Sequence, residues 1–271
     1  FPSCPSKVYT AAEQTLFAAH TSGEYTNSAI KGTNVNSYTG DLTPTENYQW
    51  DSGTNVTSKR TLTCSITKSN TTTSLSAQSK TYNGSAQPAT GASAKLSSNS
   101  TTISGAAFTY AYWSGTGCSG TALSGAPTNV GTYSVKATLT GTANYNTSTS
   151  SCVTYTMSAK KATITLGSAP TLTYGTDGTL TYTYDGDGTV SCASSDTSAV
   201  TCSVDATNNK ITLHPVKATT SNVTITVSAS AGSNYGAADN KTVTVTVGRQ
   251  PVSFPSCPSK VYTAAEQTLF A

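Results

Sequence analysis

Lys241-Thr-Val-Thr-Val-Thr-Val247 alternates valine with threonine without interruption. A period of two puts Val243, Val245 and Val247 on one face of a strand and the threonines on the other, which is the pattern of a half-buried sheet. Two earlier stretches have the same period. In Arg60-Thr-Leu-Thr-Cys-Ser-Ile-Thr67 the residues Leu62, Cys64 and Ile66 share a face, and Ser151-Cys-Val-Thr-Tyr-Thr-Met157 reads likewise. Helix signals are sparse. There is one Met, and the helix-like stretch Ala11–Leu16 is too short to nucleate in water. The fold class that follows is all-β.

Each of these strands closes a block that opens with a shorter strand. The blocks span 1–70, 71–160 and 161–250, and 251–271 is a linker and the first segment of a further copy. Blocks of roughly 70–90 residues with many short strands fit sandwiches with Greek-key connections. The expected architecture is three tandem immunoglobulin-like β-sandwich domains in an extended array, followed by the start of a fourth.

The last segment is decisive for the array. FPSCPSKVYTAAEQTLFA stands at 1–18 and again, unchanged, at 254–271. Internal identity of this length marks recent duplication and a tandem repeat. The chain therefore reads as one repeat and the opening of the next, cut from something longer. No apolar run is long enough to cross a membrane, so no membrane insertion is expected in this segment.

Composition narrows the function classes. Charged residues make up 10% of the chain and the net charge is +3. That is too weak and too scattered to read as a nucleic-acid footprint. Ser and Thr supply about a third of the residues. Fifteen tyrosines and the alternating apolar runs give the chain a core to bury, against a disordered reading. Seven cysteines, one of them a copy, leave an even number per repeat. With no CxxC and no nearby His pair, they point to disulfides and an extracellular or cell-surface location. N-x-S/T sequons at Asn55, Asn70, Asn83, Asn99, Asn146, Asn222 and Asn240 are compatible with secretion.

Motifs in the second block carry a family resemblance. Lys80-Thr-Tyr-Asn-Gly-Ser-Ala-Gln-Pro88, Ala126-Pro-Thr-Asn-Val-Gly-Thr-Tyr133 and Leu139-Thr-Gly-Thr-Ala-Asn-Tyr145 stand in order. Together they resemble the bacterial MBG-type repeat, an immunoglobulin-like module of large surface proteins. The first block is similar to a divergent relative through Lys7-Val-Tyr-Thr and Asn47-Tyr-Gln-Trp-Asp-Ser-Gly-Thr54. It has Asn36-Ser-Tyr38 in place of "G-T-Y". The third resembles a bacterial Ig-like (Big-type) module through Gly188-Thr-Val-Ser-Cys-Ala-Ser-Ser-Asp-Thr197 and Val223-Thr-Ile-Thr-Val227. The resemblance implies a secreted or surface-exposed bacterial protein whose modules are spacers or adhesive units.

Strand placement suggests the bonds Cys4–Cys64, Cys118–Cys152 and Cys192–Cys202. Pairing within blocks is the simplest of the 15 connectivities that six cysteines allow. Cys257 copies Cys4, while the copy of Cys64 would lie past residue 271. It is expected either to stay outside the three bonds or to pair with another chain.

Trp50 and Trp113 read as core residues, with a sugar-stacking platform as the alternative. Tyr110, Tyr112 and Trp113 are the candidate ligand contacts for that alternative. His20 and His214 fall in different blocks, so no catalytic triad or zinc site is expected. Asp185-Gly-Asp187-Gly looks like a calcium loop without its later Glu, and a Gly-rich hairpin turn is expected instead. No catalytic residue, metal or cofactor is assigned.

The first functional expectation is a structural repeat unit of an extracellular bacterial fibre, stalk or giant surface protein, stabilised by intradomain disulfides. Its partners would be neighbouring identical repeats and, by strand addition, other chains. The alternative is an adhesin module that binds glycans or proteins through Tyr/Trp-rich faces.

Overall fold

The computed structural model describes residues 1–51, 57–257 and 259–268. The Asn55 position of one sequon and the Ser52-Gly53-Thr54 end of one quoted motif lie outside them. The described residues form strands and turns only, in two compact units, 1–158 and 159–271.

The second unit shows the sheet order most directly. Ile164–Leu166, Gly178–Tyr184, Lys210–Pro215 and Val200–Asp205 form one sheet in that spatial order. Val190–Ser194, Val223–Ala229 and Lys241–Val245 form the other. Lettered A to G in chain order, these sheets are A-B-E-D and C-F-G, the seven-strand immunoglobulin arrangement. Alternation decides which side chains meet between the sheets. Leu180, Ile211, Leu213, Ile225 and Val227 are fully buried there, while the intervening threonines are not. Each such aliphatic side chain stabilises the fold by about 1.5–3 kcal/mol through its removal from water.

The first unit holds two separate hydrophobic clusters. In one, Lys7–Val8, Arg60–Thr67, Asn36–Pro44 and Tyr25–Thr26 form a sheet in that order, facing the paired strands Gln14–Phe17 and Ile30–Gly32. Leu16, Ile30, Leu42, Trp50, Leu62, Cys64 and Ile66 are its core. In the other, the sheet order is Phe108–Ser114, Gly131–Leu139, Val153–Ser158 and Gln78–Thr81, and Ser148–Thr149 pairs with Gly131–Leu139. Thr71–Ser74 and Ser93–Leu96 form a second, two-stranded sheet. Leu75, Tyr112, Val135, Ala137, Tyr155 and Met157 are among its buried residues.

One device closes all three sandwiches. A short early strand runs parallel to the last strand, and the tyrosine after it donates its backbone N–H to the last strand's final carbonyl. Tyr9 donates to Thr67, Tyr82 to Ser158 and Tyr174 to Gly248, each at 2.9 Å. The parallel partners are Lys7–Val8, Gln78–Thr81 and Leu172–Thr173. This pairing covers a sheet edge that would otherwise present unpaired backbone groups.

A second device is shared by the first two sandwiches. The Tyr38 hydroxyl donates to the carbonyl of Asn34 at 2.7 Å, and Tyr133 does the same to Asn129 at 3.0 Å. Both lie in Thr-Asn-Val-x-Ser/Thr-Tyr, at 33–38 and 128–133. Asn36-Ser-Tyr38 thus keeps the bond although it lacks the glycine.

The Asp185–Gly188 turn departs from the hairpin expectation. It joins Gly178–Tyr184 to Val190–Ser194, and these strands belong to different sheets. The turn is a crossover between layers, held by its carboxylates. Asp185 accepts from the Thr163 N–H at 2.6 Å and from Lys160 Nζ at 3.1 Å. Asp187 accepts from the N–H groups of Asn234 and Tyr235 at 2.7 and 3.1 Å.

Candidate functional site: disulfide staples, a clasp and an aromatic cleft

Three disulfides are present. Cys4–Cys64 joins the start of the first sandwich to its last strand, with Cα atoms 5.2 Å apart and Cys64 fully buried. Cys118–Cys152 spans 5.9 Å and ties the loop after Phe108–Ser114 to the residue before Val153–Ser158. Cys192–Cys202 spans 6.2 Å and links one strand of each sheet in the third sandwich. Crosslinks of this kind matter most where a small domain has few large apolar side chains. Cys257 is exposed.

The first two sandwiches are clasped by backbone-directed amides. Asn144 Oδ1 accepts from the Val35 N–H at 2.9 Å, and its Nδ2 donates to Asn34 Oδ1 at 3.1 Å. On the same junction, Ser98 Oγ donates to the Tyr9 carbonyl at 2.7 Å and Asn99 Nδ2 to the Thr10 carbonyl at 2.9 Å. The connecting Ser69 is fully buried. Its N–H donates to the Asn144 carbonyl, and its own carbonyl accepts from Asn146 N–H. Among the described residues, no buried side-chain polar atom lacks a hydrogen-bond partner.

The candidate ligand contacts Tyr110, Tyr112 and Trp113 do not form one exposed cluster. Tyr110 and Tyr112 point inward from strand Phe108–Ser114, and Trp113 points to the opposite face. Tyr112 is 3% exposed. Its ring packs edge-on to Tyr155 with centroids 5.8 Å apart, and its hydroxyl oxygen accepts from the Ala89 N–H at 2.7 Å. Burial raises its phenol pKa above the ordinary value. Tyr112 is therefore a core residue and not a ligand contact. Trp113 is half-buried and lies outside the core cluster.

Trp50 is buried, donating from Nε1 to the Ser58 carbonyl at 2.9 Å. Around it lies the aromatic surface that the sequence reading did not assemble. Phe1 packs edge-on at 5.0 Å and Tyr25 lies 6.0 Å away. With Tyr48, Glu24 and Asp51 they line an open cleft of about 410 Å³.

His20 sits beside Asn27 and packs against the rings of Phe17 and Tyr25. His214 Nδ1 is 2.6 Å from Asp177 Oδ1, on an exposed surface. Among the described residues, no three His, Cys, Asp or Glu side chains are grouped to hold a metal ion. No helix there is long and apolar enough to cross a membrane.

No family model matches the chain, and no curated protein does. The MBG and Big-type resemblance therefore rests on the motif residues themselves. Solved structures similar to the chain are multidomain proteins. Domains 1–6 of the surface layer protein SbsC are 17% identical, with a TM-score of 0.34 over 84% of this chain and 35% of that one. The titin I-band fragment I67–I69 is 10% identical, with a TM-score of 0.36 over 92% and 96%. Drosophila N-cadherin EC1-4 is 11% identical, with a TM-score of 0.32 over 88% and 66%. The chain thus spans about a third of the SbsC structure. At these TM-scores the likeness carries no argument, and the immunoglobulin-like class rests on the strand order above.

Proposed function

We propose that the chain is a structural repeat unit of an extracellular bacterial fibre, stalk or giant surface protein, and not an enzyme. Its domains are 1–70, 71–160 and 161–250, the first two MBG-type and the third Big-type, and 251–271 begins the next repeat. The observation that carries this reading is the unchanged recurrence of residues 1–18 at 254–271. The disulfides support an oxidising location outside the cytosol, and the clasp at Asn144 supports a spacer whose modules do not swing freely. The partners are neighbouring copies of the repeat. Fractionating the source cells and blotting for the chain tests this. A surface-associated band several repeats in mass is expected, and a cytosolic band of single-repeat mass would refute it.

The adhesin reading keeps one supporting residue in its original place, the half-buried Trp113. A glycan array probed with the chain and with Trp113→Ala tests it. Binding lost in the variant supports adhesion, and no difference between the two removes it.

A further inference from the structure

Among the described residues, the first sandwich shows no counterpart of one strand that the second has. In the second, Thr71–Ser74 precedes the parallel strand Gln78–Thr81 and pairs with Ser93–Leu96. Ser74 stands six residues before Lys80, as Phe1 stands six before Lys7. Thr71, Thr72 and Thr73 therefore correspond to the three residues ahead of Phe1. Where the Phe-Pro-Ser-Cys segment recurs, those three are Pro251, Val252 and Ser253.

The surroundings correspond as well. In the second sandwich the incoming Ser69 bridges in parallel to Tyr145. Three residues past Tyr145, Ser148 meets the hydroxyls of Thr71 and Thr73, each at 2.7 Å. The third sandwich repeats the first part of this, with incoming Lys160–Lys161 parallel to Tyr235–Gly236. Both tyrosines follow an asparagine, as Asn144-Tyr145 and Asn234-Tyr235. The first sandwich has Asn47-Tyr48 at this place, with Asp51 three residues on. The nitrogen of Phe1 lies 3.7 Å from that Asp51 carboxylate, where the correspondence puts the end of the missing strand.

The exposed surfaces match this vacancy. Tyr48 is 49% exposed and Phe1 46%, and they border the open cleft over Trp50. Val252 and Phe254, at the other end of the chain, are 91% and 97% exposed. Pro251 suits the first position of a strand. Ser253 supplies a hydroxyl where Thr73 is buried and bonded. Glu24 and Asp51 give the cleft a charge opposite to Arg249.

We propose that Arg249–Ser253 is the incoming segment of the sandwich that follows it, with that sandwich's first strand beginning at Pro251, and that it docks along the Tyr48–Asp51 edge of the next copy and closes the aromatic cleft. This rests on the array reading. The structural boundary of each repeat then falls near 249, ahead of the recurring segment, and the cleft is a junction between repeats instead of a ligand pocket.

The test places Gly-Arg-Gln-Pro-Val-Ser, the sequence of 248–253, directly ahead of Phe1 in the full chain. A control carries the same six residues in scrambled order. Amide hydrogen exchange at Tyr48–Asp51 is compared between them. At least tenfold slower exchange with the native order is expected, with the second and third sandwiches unchanged. Equal exchange in the two proteins would overturn the proposal. Failure of the array reading shows separately, as a native protein with a single copy, and leaves the exchange result standing.

Discussion

Asn144 donates from Nδ2 to Oδ1 of Asn34 at 3.1 Å, across 110 positions of sequence. Because Oδ1 of the same amide accepts from the Val35 N–H, one side chain serves both directions. Asn144→Ala removes both bonds and leaves the Val35 N–H without this partner. A loss of about 1–3 kcal/mol in the coupling of the two sandwiches is expected. Calorimetry should show a single transition for 1–158 in the parent and a broadened or split one in the variant.

The disulfides should differ in weight according to the loops they close. Sequence separations are 60, 34 and 10 for Cys4–Cys64, Cys118–Cys152 and Cys192–Cys202. Chain entropy alone ranks them at about 4, 4 and 3 kcal/mol. Paired Cys→Ser variants, compared by denaturant midpoint, should show the third sandwich least affected.

Acid should weaken the second unit first. Asp185, Asp196, Asp205 and Asp239 are all held below the ordinary aspartate pKa there. The leading causes are hydrogen bonds from the Thr163 N–H, the Ser198 hydroxyl, the Asn208 side chain and Lys161 respectively. In the first unit Asp41 is lowered chiefly by Lys59. A carboxylate with a depressed folded pKa contributes stability above its unfolded pKa and loses it as pH falls through the folded value. Unfolding followed from pH 5 downward (a range that brackets ordinary carboxylates) should show the third sandwich losing stability earlier. Asp185→Asn should flatten that dependence.

Tyr112 and Trp113 should separate cleanly on substitution. Tyr112→Phe leaves the buried Ala89 N–H without its acceptor, a cost of about 1–3 kcal/mol. Tyr112→Ala adds a cavity and should approach 3–5 kcal/mol. Trp113→Ala, outside the core cluster, should cost far less in the same urea titration.

Gly188→Ala should destabilise the third sandwich strongly. An added Cβ would collide with the backbone carbonyl of Ser230, which cannot move without disturbing the neighbouring strand. A loss of about 1–3 kcal/mol is expected from such overpacking, read as a lower melting temperature for the 159–271 unit.

Alternation made the long strands legible in advance. Arg60–Thr67, Val153–Ser158 and Lys241–Val245 are strands whose burial follows period two. The Asp185–Gly188 turn was misread because local turn chemistry is the same whether the chain returns to its own sheet or crosses to the facing one. Only long-range pairing decides between them. Tyr110, Tyr112 and Trp113 looked like a patch because they are adjacent in sequence, yet adjacent strand residues point to opposite faces. The clasp at Asn144 depends on where two sandwiches meet, which no local pattern encodes.

The uneven disulfide loops also set how the chain answers tension. A pull along the backbone is carried past the first sandwich by Cys4–Cys64, so some 60 residues of slack, about 200 Å at full extension, are never released while that bond stands. Cys192–Cys202 locks away only 10. Within one repeat the first sandwich is then the inextensible link and the third is the yielding one. A fibre built of such repeats would lengthen in discrete steps, the largest of them from its third domains.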